Sequence, residues 1–171
     1  MTMSAVEPAV VAMLKEDHAK VKSLFEEFKQ SEGREQAEIA KTAVQELEVH
    51  AELEEKLIYP TIREAIDDDE QMTEAVEEHH LVHVLIRELK GLKASDVRFR
   101  AKFSVLSELV KHHIEEEESE MLPKAEESDI DWEELEMYVM KKREQLMKRA
   151  KPARSGGRGP RRKVSSRNRR K

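Results

Sequence analysis

Four stretches of this chain repeat apolar residues every three or four positions, and histidine or glutamate breaks each repeat where a core residue would stand. The first stripe reads Leu14, His18, Val21, Phe25, Phe28, and the second Ile39, Ala43, Leu47, His50, Glu54, Leu57. The third reads Met72, Val76, His79, His83, Ile86, and the fourth Leu106, Val110, His113, Glu117, Met121. A period of 3.6 residues makes these amphipathic helices, each with one inward face. An ionised carboxylate buried alone is expensive, and an unsatisfied imidazole is also costly. Two Glu and five His on inward faces therefore need a common partner. A metal ion is such a partner, because neutral imidazole and carboxylate become its ligands.

Turn signals divide the same stretches. Glu7-Pro8 opens a first helix, since proline is tolerated in a first turn, and that helix runs to about Gln30 before Ser31-Glu32-Gly33. A second runs from about Glu35 to Ile58 and is stopped by Pro60, with residues 61–66 available for a further turn. Asp67-Asp68-Asp69 caps a third through about Lys93, and Ser95-Asp96 starts a fourth that ends before Pro123. Asp131 and Glu134 resemble a capping box for a fifth, to about Arg149. No segment of useful length alternates apolar and polar residues. The expected fold is all-α: an up-down-up-down four-helix bundle (residues 1–125), a short fifth C-terminal helix (126–150) and a disordered basic tail (151–171).

Charge is divided along the chain. Residues 1–140 carry 36 acidic and 16 basic side chains, giving −20, and residues 141–171 carry 15 basic and one acidic, giving +14. From Lys151 the chain is rich in Arg, Lys, Gly, Pro and Ser and almost without apolar residues, so it cannot bury enough surface to fold alone. Such an arm suits weak, non-specific, salt-dependent nucleic-acid binding, and it lacks the aromatic residues that stack on bases. The 171 residues contain no Cys. That excludes disulfides, thiolate zinc sites, iron–sulfur clusters, c-type haem attachment and cysteine nucleophiles. No apolar run is long enough to span a membrane. Met1–Val11 carries Glu7 and no basic n-region, unlike a secretory signal, so the expected location is cytoplasmic.

Residues four apart share a helix face. His50/Glu54, His79/His83 and His113/Glu117 thus each present two donors to one interior point, and His18 adds one more. Seven donors exceed what one zinc takes. They suit two six-coordinate ions bridged by carboxylates, with iron favoured over manganese. His80 and His112 sit about 100° off the stripes and are read as surface or supporting residues. Ferritin-like di-iron proteins need two Glu-x-x-His motifs, and Glu77-x-x-His80 is the sole example here. There is also an internal echo: His50-Ala-Glu-Leu-Glu54 leads to Tyr59-Pro60, and His113-Ile-Glu-Glu-Glu117 leads to Leu122-Pro123, with the same His-to-Glu and His-to-Pro spacings.

These motifs together resemble the hemerythrin-like family, the HHE cation-binding domain, over roughly residues 8–125. The matching stretches are Leu14-Lys-Glu-Asp-His18, His50-Ala-Glu-Leu-Glu54, Glu78-His79-His80-Leu-Val-His83 and His113-Ile-Glu-Glu-Glu117. The resemblance implies a non-haem di-iron centre with His18, His50, Glu54, His79, His83, His113 and Glu117 as ligands. Oxygen-carrying members end with His and Asp five apart. This chain has Glu four after His113, flanked by Glu116 and Glu118, so the bridging acid within Glu115–Glu118 stays open. Some bacterial relatives lack His at the position of His83.

A di-iron site of this type binds or senses O2, nitric oxide or peroxide. Alternatives are an enzyme that decomposes peroxide or oxidises a small substrate, and a protein that handles iron as cargo. Phe25, Leu57, Ile86, Leu106 and Val110 are candidates for an apolar ligand pocket or for ordinary core packing. Trp132, Leu135, Tyr138, Val139 and Leu146 give the fifth helix an apolar stripe that covers the bundle or forms a dimer contact.

Overall fold

A computed structural model describes residues 6–150; the basic segment 151–171 lies outside the described residues. Among the described residues there is no strand. The order is α1 (Ala9–Gln30), α2 (Gly33–Leu53), a π turn (Glu54–Ile58), α3 (Tyr59–Ala65), α4 (Asp69–Lys90), α5 (Val97–Glu116), a second π turn (Glu117–Met121), α6 (Leu122–Glu126) and α7 (Trp132–Ala150). Four long rods result: α1, α2–α3, α4 and α5–α6. They form the expected up-down bundle, with α7 laid against α1, α2 and the first π turn.

The ends follow local chemistry. Asp68 accepts a hydrogen bond from the Gln71 amide, Asp96 from the Arg98 amide and Asp131 from the Glu134 amide. Gly33 opens α2 at φ 58°, a conformation glycine adopts at no steric cost.

Pro60 and Pro123 do not stop their rods, contrary to expectation. Each follows a π turn in which a backbone N–H reaches back five residues, Tyr59 to the Glu54 carbonyl and Leu122 to the Glu117 carbonyl. The wider turn relieves the clash that proline makes with the carbonyl four residues back in an α-helix. The rods therefore continue to Ala65 and Glu126. The internal echo in the sequence is thus a repeated backbone device, and both π turns begin at a stripe glutamate.

The core has two halves. One, near the N-terminus of α1, gathers Leu14, Leu53, Ile58, Ile62, Met72, Leu122, Leu135 and Val139. The other gathers Val21, Phe25, Phe28, Leu47, Ile86, Phe103, Leu106 and Val110. The inward-facing imidazoles and carboxylates sit at the junction. No helix of the described residues is long and apolar enough to cross a membrane.

Candidate metal centre

Six of the seven expected donors meet inside the bundle. His18, His50, His79, His113, Glu54 and Glu117 are all buried, with Glu54 at 0% and Glu117 at 1% exposure. The imidazoles form two pairs of matching geometry. His18 and His50 have Nε2 atoms 3.1 Å apart, and His79 and His113 have theirs 3.2 Å apart. In both pairs the ring centroids are 4.8 Å apart and the planes meet at 62°.

The two glutamates lie between the pairs. Glu54 Oε1 is 3.0 Å from His50 Nε2, and its Oε2 is 3.3 Å from His79 Nε2. Glu117 Oε2 is 3.2 Å from His18 Nε2 and 3.9 Å from His113 Nε2. None of the four carboxylate oxygens receives a hydrogen bond. Donors about 2.1 Å from one metal stand about 3.0 Å apart when they are cis in an octahedron. The observed spacings match that figure, and the orphaned oxygens are of the kind a cation satisfies. Imidazole and carboxylate together suit iron.

His83 is placed differently. Its side chain is 43% exposed and its Nε2 bonds Glu55 Oε1 at 2.7 Å. The reason lies in the rotation of α4, which buries Met72, Ala75, His79, Val82, Ile86 and Leu89. That stripe steps by three and four alternately, so Val82 turns inward, while Val76 and His83 fall on the flank. Tyr59 occupies the inner position instead. Its hydroxyl is 3.2 Å from His79 Nε2 and 3.1 Å from His113 Nε2. The π turn brings Tyr59 there, five residues after Glu54 rather than four. Of the acids 115–118, only Glu117 is buried; Glu118 bonds His18, and Glu116 faces the exposed His112.

An outer ring of acids stands behind the imidazoles, bonding three of them, and it runs round the bundle in order. Asp17 of α1 faces His50 of the second rod at 3.6 Å. Glu55 of the second rod bonds His79 Nδ1 of α4 at 3.0 Å. Glu78 of α4 bonds His113 Nδ1 of α5 at 2.7 Å, and Glu118 of the fourth rod bonds His18 Nδ1 of α1 at 2.8 Å. A carboxylate can only accept, so the bonded Nδ1 atoms donate. In a neutral ring Nε2 then keeps its lone pair toward the centre. Behind Asp17 stands Arg143 of α7, gripping both oxygens at 2.5 and 2.6 Å. These outer residues carry no spacing signal of their own. Each acid is, however, the chain neighbour of a stripe residue: Asp17 of His18, Glu55 of Glu54, Glu78 of His79 and Glu118 of Glu117.

The electrostatics are strongly coupled. Burial opposes charge on His50, but Glu54, Asp17 and Glu117 outweigh it and lift its pKa to about 10. His79, likewise buried, is lifted to about 9 by Glu54, Glu55 and Glu117. Glu54 is held well below the ordinary carboxylate value, since His50 and His79 outweigh its burial. His79, with His83 and Glu55's partial burial acting in opposite directions, brings Glu55 down to about 2. Burial and then the charges of Glu117 and Glu54 push Tyr59 well above 10.

A family model described as the hemerythrin HHE cation binding domain matches residues 9–125. The chain therefore belongs to the hemerythrin HHE family and is a metal-cation-binding protein. Its structure is similar to the crystal structure of a hemerythrin HHE cation binding domain-containing protein from Mycobacterium kansasii. The TM-score is 0.66 at 21% identity, over 85% of this chain and 91% of that one, which is a likeness of fold. A curated relative, named DNA nickase and from Nostoc sp., is 29% identical over 108 residues. The match takes in 63% of this chain but only 30% of that protein's length.

Proposed function

We propose that the chain holds two iron ions between its four rods and presents them to O2, nitric oxide or peroxide as a binding or sensing protein. The observation that supports this most is the pair of buried glutamates whose four oxygens lack hydrogen bonds while facing imidazoles from different rods. On this reading His18 and His50 would hold one ion and His79 and His113 the other, with Glu54 and Glu117 shared between them. Tyr59 joins the second ion in the place the sequence suggested for His83. Two irons would supply two-electron redox chemistry toward such ligands.

The chain's own residues shape that chemistry. Glu118, Glu55 and Glu78 keep Nε2 of His18, His79 and His113 pointed inward, and Asp17 faces His50. A cavity of about 20 Å3 lies beside the four imidazoles, walled by Val21, Leu47, Val82 and Val110. That volume is on the scale of one water-sized molecule, and its apolar walls favour a neutral diatomic over an ion. Of the residues expected to form a ligand pocket, Val110 lines this cavity; Phe25, Ile86 and Leu106 belong to the adjoining core half, and Leu57 packs against the other half.

Anaerobic titration of metal-free protein with Fe(II) tests the reading. Two equivalents should bind, and the oxidised form should show a phenolate-to-iron(III) band in the visible. Tyr59→Phe should lose that band and keep both irons. A single bound metal, or a colourless protein that prefers zinc, would overturn it.

A second reading concerns residues 151–171, where ten basic and no acidic side chains favour non-specific nucleic-acid binding. Removing the segment should abolish DNA retention at low salt, and retention that persists removes the idea.

A further inference from the structure

We propose that Fe(II) reaches the buried centre through an acidic cleft between α4 and the α5–α6 rod, entering past Glu70, Glu74 and Glu120 and pausing on Glu78, Glu116 and the adjacent His112. The inference rests on the metal centre described above and adds its loading route. The cleft encloses about 220 Å3. The exposed acids Glu70, Glu74 and Glu120 stand at its mouth with Asp68, and no Lys or Arg lines it. Lys124, at the edge, is engaged with Asp68 at 2.7 Å and Gln71 at 3.0 Å.

Acidic surface is common on this body, but the floor of this cleft is distinctive. It is formed by His113 and by Glu117, whose side chain is 0% exposed and whose two oxygens have no hydrogen bond. Between mouth and floor, Glu78 bonds His113 Nδ1 through Oε2. Glu78 also groups with His112 and Glu116, each offering a ligand atom within 4.8 Å of the others. Acid and imidazole donors thus line the cleft from its mouth to the Glu117 and His113 of the centre. A cation passing along them exchanges hydration for carboxylates stepwise and is never stripped against apolar walls, as it would be in the valine-lined cavity. Clefts lined by one sign of charge focus the field and raise on-rates by about 10- to 1000-fold.

The test is the rate of anaerobic Fe(II) uptake by metal-free full-length protein, read as iron retained after rapid desalting. The cleft variant is Glu70→Gln/Glu74→Gln/Glu120→Gln. The control, Glu127→Gln/Glu133→Gln/Glu134→Gln, removes the same charge outside the cleft. The cleft variant should load at least about tenfold more slowly at low ionic strength, with the gap narrowing in high salt and the final iron content unchanged. His112→Ala should also slow loading without lowering the final content. Loading of the cleft variant at the wild-type rate, or equal slowing of both triple variants, would overturn the route while leaving the centre intact. Failure of the unmodified protein to retain iron would overturn the centre and the route with it.

Discussion

Replacing Arg143 with Met tests whether α7, which lies beyond the matched family region, is tied into the centre. Arg143 grips both oxygens of the buried Asp17. Two charge-assisted hydrogen bonds contribute about 1.5–3 kcal/mol each at most. The Arg143 side chain is 26% exposed, so solvent screens part of that. Asp17 is independently informative: burial opposes its charge, yet Arg143 and His50 lower its pKa from 3.8 to about 2. At about 1.4 kcal/mol per pH unit, discounted for screening, that shift amounts to about 2 kcal/mol. The hydrogen bonds set a ceiling of about 3–6 kcal/mol before screening, and the Asp17 shift, to which His50 also contributes, points to a loss near 2 kcal/mol, or about 4–8 °C in Tm for a chain of this size. Thermal unfolding of metal-free protein, followed by circular dichroism at pH 7, measures it. A depressed carboxylate pKa stabilises the fold above the unfolded value and loses that contribution as pH falls through the folded one. The gap between wild type and variant should therefore close as pH drops from 3.8 toward about 2. A double-mutant cycle with Asp17→Asn isolates the pair. A coupling below about 0.5 kcal/mol at pH 7 would refute the reasoning, because partners more than 7 Å apart usually add within that margin.

Other perturbations probe the remaining links. His50 and His79, lifted to about 10 and about 9, carry protons at pH 7 without metal and must lose them to coordinate. Iron binding should release about two protons from these rings, and oxidation that makes Tyr59 a phenolate a further one; the release is visible as a buffer-dependent enthalpy in titration calorimetry, and buffer-independent heat would contradict it. Glu78→Ala or Glu118→Ala should weaken iron affinity by about 10- to 100-fold with helicity intact, since each frees one imidazole to rotate. Phe103→Ala should cost about 3–5 kcal/mol in urea unfolding. Its ring is 1% exposed, stacks on Phe28 at 4.0 Å and meets Phe25 edge-on at 5.7 Å.

Periodicity and spacing were enough to read the bundle and most of the inner cluster. His18, His50, Glu54, His113 and Glu117 interrupt apolar stripes, and an interrupted stripe can be seen without neighbours. What the linear chain withholds is helix rotation and backbone winding. His79 and His83 obey the i, i+4 rule equally well. Packing of α4 through Val82 and Ile86 turned the first inward and left the second at the surface. Pro60 and Pro123 look like stops, because the π turns that accommodate them appear only once the rods are packed; those turns also set Tyr59 opposite His79 and His113. The ring of acids, and Arg143 behind it, join residues of different rods. Its members are far apart in the chain, so only folding could reveal that an acid of each rod stands behind the imidazole of the next.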